Sequence, residues 1–398
     1  MRRFVLGLLR NQLTEKLDGI RATRTAALIA CVGSLLVSGR LFLTALGRSL
    51  DRETSQKHRI KAVDRLLGNP GVHCDLPAFY GALIAILIRR DTAPIIVVDW
   101  TEHDKVAVLS ATVLHNSRAL PIYSEAHPRS KLGNARVQKR FLAQLRDLLP
   151  PGATPLILSD AGFQRPWFDA VSDLGWNYIG RIRNRTKYRR EKGSDWLSTK
   201  ALYKVATAKP KDLGVVELRR ERPAPVRLVI FKKKAKGRKN VNKRGKRSSR
   251  TEVRKCARRA CEPWLLATNP SLTLSARAIA NLYGARFQIE QSFRDQKSPR
   301  LGWAAKDSLS KRPERIAVLY LIAAIAKLAC ELVGADLEAR GEHRGFQANT
   351  ERRRRTLSLF TLGRLAIQEG TGALTASAFG RALKRLRLLI ESPLIPEV

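Results

Sequence analysis

Apolar positions in the first ninety residues recur at helical spacing. Leu9, Leu13, Leu17 and Ile20 mark one face, residues 24–50 are apolar with regularly placed arginines, and residues 60–67 form another helical piece before the Asn69-Pro70-Gly71 turn. The period then changes. Residues 95–99 (IIVVD), 106–113 and 119–123 (ALPIY) are short β-rich runs with short connections, as antiparallel hairpins require. Val137, Phe141, Leu142, Leu145, Leu148 and Leu149 make one apolar helical face that Pro150-Pro151-Gly152 stops. A fourth apolar run, 155–159 (PLILS), leads into Asp160, and a helix near 166–174 and a strand near 176–182 follow.

That order, β-β-β-α-β-α-β, is the element order of a ribonuclease-H-like α/β fold, a mixed sheet with helices on its faces. In such a sheet, acidic residues at the ends of the first and fourth strands lie side by side, and the pattern predicts Asp99 and Asp160 there. Residues 215–218, 226–231 and 264–268 read as strands of a β-rich insertion spanning 183–270. Within it, residues 232–259 hold fifteen Lys or Arg against one acid, Glu252, and the absence of apolar periodicity predicts a long mobile loop. Residues 275–297 are predicted as one helix, with Ser271 or Thr273 as its cap. The last hundred residues read as helical, with 314–335 apolar enough to be buried. The predicted organisation is a helical domain with basic faces that suit DNA binding (1–90), a first part of the core (91–182), the insertion (183–270), a second part of the core (271–310), and a helical C-terminal region (311–398).

Charge sharpens this picture. Seventy-five Lys and Arg oppose thirty-four Asp and Glu, a formal charge of +41. Self-repulsion of that size points to a polyanionic partner, nucleic acid first and an anionic membrane surface second. The apolar run 26–38 is too short to span a bilayer, and 316–335 is interrupted by Lys327 and Glu331, so both are predicted as buried helices and no membrane association is expected. Arg10 breaks the N-terminal apolar patch, which argues against a signal peptide. Five scattered cysteines suit reduced thiols in a cytoplasm. His103, His115 and His127 lack zinc-site spacing and read as structural or DNA-facing.

The candidate chemistry centres on residues 283–297, YGARFQIEQSFRDQK. On one helix, Arg286, Glu290, Arg294 and Lys297 fall at steps of four, four and three, with Tyr283 a turn earlier, so a carboxylate is set among cations and an aromatic. Asp99, Asp160 and Glu290 together are three hard oxygen ligands, able to hold two Mg2+ or Mn2+ ions for in-line attack on phosphorus.

These residues resemble the bacterial insertion-sequence transposases of the DDE class that carry a Tyr-Arg-Glu-Lys signature. The resemblance rests on VVDWTEH (97–103), PLILSDAGFQRPWF (155–168), EPWLLATN (262–269), YGARFQIEQSFRDQKSPRLG (283–302) and GFQANTERRRR (345–355). It implies metal ligands at Asp99, Asp160 and Glu290, and phosphate contacts from Tyr283, Arg286 and Lys297 near a transposon end. It implies aromatic stacking on a flipped base at Trp264 and at Phe287, where some members have Trp. It also implies excision through a hairpin intermediate, double-stranded terminal inverted repeats and target DNA as partners, a homodimeric synaptic complex, and a cytoplasmic, nucleoid-associated location. A host DNA-bending protein is a further candidate partner. Two other readings follow from the same residues: a ribonuclease-H-like nuclease without strand transfer, and a non-catalytic DNA-binding derivative.

Overall fold

The computed structural model describes residues 2–115, 118–183, 186–232, 251, 262–348, 350–351, 354–371 and 374–393. Most of the basic loop 232–259 and part of the 351–355 cluster lie outside the described residues. In chain order the helices and strands are α1 (Arg2–Thr14), α2 (Ala22–Ser38), α3 (Leu43–Arg48), α4 (Gln56–Leu67), α5 (Pro70–Leu87), β1 (Ile95–His103), β2 (Val106–Leu114), β3 (Ala119–Pro128), α6 (Ala135–Leu148), β4 (Leu156–Ser159), α7 (Arg165–Asp173) and β5 (Asn177–Ile182). They continue as β6 (Lys187–Arg189), β7 (Leu197–Ser198), β8 (Lys211–Leu218), β9 (Ala224–Phe231), β10 (Trp264–Thr268), α8 (Ala276–Ala285), α9 (Gln288–Lys297), α10 (Pro313–Ala339), α11 (Leu359–Glu369) and α12 (Ala376–Glu391).

Local chemistry explains many of the boundaries. The Asn69 side chain accepts from the Gly71 amide ahead of a proline in the first turn of α5, and Asn134 accepts from the amides of Arg136 and Val137 to start α6. The cap of α8 is Ser275, which accepts from the Ala278 amide, rather than the expected Ser271 or Thr273.

The protein divides into two compact units, Met1–Pro155 with Phe287–Leu394, and Leu156–Arg286. In the first, β1, β2 and β3 form an antiparallel meander in which Asp99 pairs with Ser110, and every residue of β2 is buried. The core helix is α10. Residues 316–337 are all buried, and α10 packs against α2, α5, α11, α12 and β3. Its approach to α11 is set by two glycines. A Cβ on Gly334 would stand 2.2 Å from the Leu359 carbonyl oxygen, and one on Gly363 would stand 1.9 Å from that of Cys330. Both α5 and α10 are long and apolar enough to cross a membrane, but the most apolar stretch of α10 is wholly covered by protein. In the second unit, β4 and β5 pair in parallel, and β5, β10, β9, β8, β6 and β7 follow as antiparallel neighbours.

Two expectations are corrected. Asp99 does not end its strand: β1 runs four residues further, so Asp99 stands in mid-strand. The helix expected over 275–297 is broken at Arg286 and Phe287. Their backbone angles stay right-handed, but the Arg286 amide bonds to the Tyr283 oxygen and the Glu290 amide to the Phe287 oxygen, three residues back. Such tight turns advance by about 120° per residue instead of about 100°. Within α9 the steps of four and three from Glu290 to Arg294 and Lys297 are kept.

The interior of the first unit is not purely apolar. Lys327 and Glu331 on α10 have no exposed surface, and the His115 ring lies 3.7 Å from the Glu331 carboxylate. Burial pushes Glu331 up to about 7, Lys327 opposing and Asp295 reinforcing, and burial with nearby Lys327, Arg355 and Arg118 pushes His115 down to about 3. The folded protein therefore retains the Glu331 proton between pH 4.5 and about 7, where the unfolded chain releases it. The stability this group contributes is full below 4.5 and lost as pH rises through about 7. A Glu331→Gln variant is expected to match the wild type near pH 4 and to exceed it by roughly 3 kcal/mol at pH 8, measured by denaturant unfolding across that range. A constant difference at all pH values would contradict it.

Candidate active site

In the first unit, the site is built from β1 and the helix packed on it, α9. Asp99 is half-buried, and one of its carboxylate oxygens accepts from the Trp100 amide at 2.8 Å. Glu290 lies in the first turn of α9 and is exposed, where the helix N-terminus favours an anion. Arg294 is exposed one turn on, and Phe287, at the N-cap, is 53% exposed. Lys297 is half-buried at the C-terminal end of α9. Its ammonium donates to the Thr101 hydroxyl and the Glu102 carbonyl, pinning the end of α9 to β1 two residues past Asp99. Burial, with Lys306 nearby, pushes that ammonium down to about 8.

In the second unit, Asp160 follows β4 directly, and its Oδ1 accepts from the Gly162 amide at 2.7 Å. A Cβ at position 162 would come within 2.9 Å of that same oxygen, so glycine there leaves the carboxylate undisturbed. Trp264 opens β10. Its half-buried ring packs edge-on against Phe231 at 5.7 Å and against Tyr283 at 5.0 Å. Tyr283 is buried, and burial raises its phenol above the ordinary value, so it is neutral near pH 7. The Arg286 guanidinium lies over the Tyr283 ring, 5.6 Å from its centre.

A cavity of about 790 Å3 opens beside Ala161 and Phe163. Arg165, Arg181, Arg183, Lys187, Arg219 and Arg220 line it, against Glu221 and Glu262. Glu262 lies 3.7 Å from both Arg181 and Arg183 and offsets only part of the charge. Arg219 holds a left-handed backbone (φ 67°), which is strained for a side chain with a Cβ. A concave, cationic wall of this kind fits a phosphodiester backbone.

A family model, the transposase DDE domain, matches residues 93–326, more than half of the 398 residues. The chain belongs to the DDE transposase family. A search of curated proteins finds no match to it. The span shared with that domain contains Asp99, Asp160 and Glu290. Transposases of this family act on DNA and use divalent metal ions. The donor chemistry suits such ions: three carboxylates, Glu290 exposed and Asp99 and Asp160 partly exposed, are hard oxygen ligands of the kind that magnesium and manganese take. Asp99 and Glu290 belong to the first unit of the transposase and Asp160 to the second. Within neither unit do three His, Cys, Asp or Glu side chains gather as a metal cage among the described residues.

The cavity cations were not foreseen from the sequence. A usable signal existed: Arg181 and Arg183 alternate at the end of a strand, as two residues on one face must. Their convergence with Arg165, Arg219 and Arg220 depends on pairing between distant strands.

Proposed function

We propose that this transposase excises and inserts DNA by a cut-and-paste route, and that Asp99, Asp160 and Glu290 hold its two divalent ions. The observation that carries this reading is the DDE-domain match, which spans all three carboxylates. When bound, Mg2+ or Mn2+ would supply Lewis-acid stabilisation of the charge developing on phosphorus. The resemblance to the Tyr-Arg-Glu-Lys group, within which the chain looks most like the transposase of the tetracycline-resistance composite transposon, supports the sequence of events. Water frees a 3′-hydroxyl, that hydroxyl attacks the opposite strand to form a hairpin, a second water opens it, and the 3′-ends join target DNA.

The chain's own residues bind and orient. The cationic cavity and Arg286 take phosphates of the transposon end, and Arg294 a phosphate near Glu290. Trp264 and Phe287 offer aromatic surface to an unstacked base; Phe287 is the more exposed, and Trp264 is already committed on two edges. Lys297, through Thr101 and Glu102, holds α9 on the strand that carries Asp99. Residues 183–270 act as an insertion within a ribonuclease-H-like core, 1–90 read the inverted repeats, and 311–398 support a homodimer in the synaptic complex.

The deciding measurement mixes the protein with a labelled inverted-repeat duplex, a supercoiled plasmid and Mg2+. Joined label on the plasmid and a transient hairpin are expected. Cleavage without joining would replace this reading with a nuclease, and binding without cleavage would replace it with a DNA-binding derivative.

A further inference from the structure

Lys327 is a charged side chain with no exposed surface, set in the middle of the apolar helix α10. A buried ammonium costs several kcal/mol unless it is well partnered. Its partners both lie on α9: Nζ donates to the Ser292 hydroxyl at 3.0 Å and to Asp295 Oδ2 at 3.1 Å. The Phe360 ring covers it, with its centre 5.4 Å away. Asp295 is 2% exposed, and Arg118 approaches the same oxygen at 3.6 Å while donating to Gln291 Oε1 at 3.0 Å. The chain after α9 closes on this point too: the Trp303 amide donates to the Asp295 carbonyl, and a Cβ at Gly302 would stand 1.8 Å from that carbonyl oxygen.

On a helix, positions 292 and 295 lie about 200° and 140° round from 290. The face that Lys327 grips is thus opposite the face that carries Glu290, which is exposed. Fixing Ser292 and Asp295 fixes the roll of α9 about its axis. A carboxylate some 6 Å from that axis moves about 1 Å for every 10° of roll, and a displacement of that size can cost on the order of 100-fold in rate. A well-packed apolar pair can be as stable as a buried ion pair, so stability alone does not call for an ammonium here.

We infer that Lys327 is a positioning residue: through Ser292 and Asp295 it sets the rotation of α9 and with it the direction of the Glu290 carboxylate. This rests on the reading of Glu290 as a metal ligand.

The test uses the full chain bound to an inverted-repeat duplex, with Mn2+ affinity read by electron paramagnetic resonance and cleavage followed separately. Lys327→Met leaves Asp295 charged and buried, and can fail to fold. The double variant Lys327→Met/Asp295→Asn removes both charges and keeps the volume. It is expected to melt near the wild-type temperature, to bind Mn2+ about 10-fold more weakly, and to recover cleavage as Mn2+ is raised. Wild-type Mn2+ affinity and wild-type cleavage in the folded double variant would overturn the inference and leave Lys327 a packing residue. A Glu290→Ala control separates the two readings: if it binds Mn2+ and cleaves like the wild type, the assignment of Glu290 fails, whatever Lys327 does.

Discussion

A Glu290→Ala variant is expected to bind an inverted-repeat duplex with wild-type affinity and to cleave it at least on the order of 10³-fold more slowly. The side chain is exposed at the start of α9, so its loss creates no cavity. A large fall in cleavage with duplex binding and the thermal midpoint unchanged therefore reports chemistry. Glu290→Gln is expected to be nearly as slow, because the charge is what a hard cation requires. Asp99→Ala and Asp160→Ala should fall to the same floor, and a double variant should fall little further, since ligands that act as a unit are not additive. Arg294→Ala, one turn along the same helix, should weaken DNA binding and leave the cleavage rate of bound DNA unchanged. Single-turnover cleavage at saturating protein, with a mobility-shift titration alongside, measures both quantities. Wild-type cleavage by Glu290→Ala would remove this residue from the mechanism.

Valine in place of Gly363 is expected to lower stability by about 3 kcal/mol, with a fall in the thermal midpoint of roughly 5–10 °C. The cause is steric and local. Its Cβ would stand 1.9 Å from the Cys330 carbonyl oxygen and 2.9 Å from the Gly334 amide nitrogen, both backbone atoms of α10 that cannot swing aside. α11 would have to move off the core helix, giving up contacts along its length. Gly380 on α12 supplies the control: nothing lies within 4 Å of its Cβ position, and its backbone is helical, so Gly380→Ala should be neutral or slightly stabilising. Circular dichroism melts of the three proteins decide the matter. A wild-type midpoint for Gly363→Val would show that the close α10–α11 approach does not limit this position.

Much of this architecture was legible in the chain. The strand runs at 106–113 and 264–268, the α6 face built on Phe141, Leu142 and Leu145, and the buried helix after 314 all appear close to where periodicity predicts them. Local pattern suffices there because each element buries one continuous apolar face or run. It failed where hydrogen bonding, not hydrophobicity, sets the boundary. Asp99 looked like a strand end because the apolar run stops there, yet pairing with β2 carries the strand on through Trp100 to His103. The break at Arg286 and Phe287 carries no proline and no left-handed glycine, so nothing in the residue pattern announces it.

The sequence by itself determined the chemistry on offer: a polycationic chain, the carboxylates Asp99, Asp160 and Glu290, and an aromatic and cations near Glu290 in the chain. It determined the DDE transposase family as well, because the family's pattern is written in residues spread across 93–326. Tertiary structure alone decided which of those cations are available. Lys297 is engaged with β1, Lys327 is buried against α9, and Arg165, Arg181, Arg183 and Arg219 converge on one cavity. The reason is physical. Residue type fixes what a side chain can bond to, but its partner is fixed by strand pairing and helix packing between segments far apart in the chain.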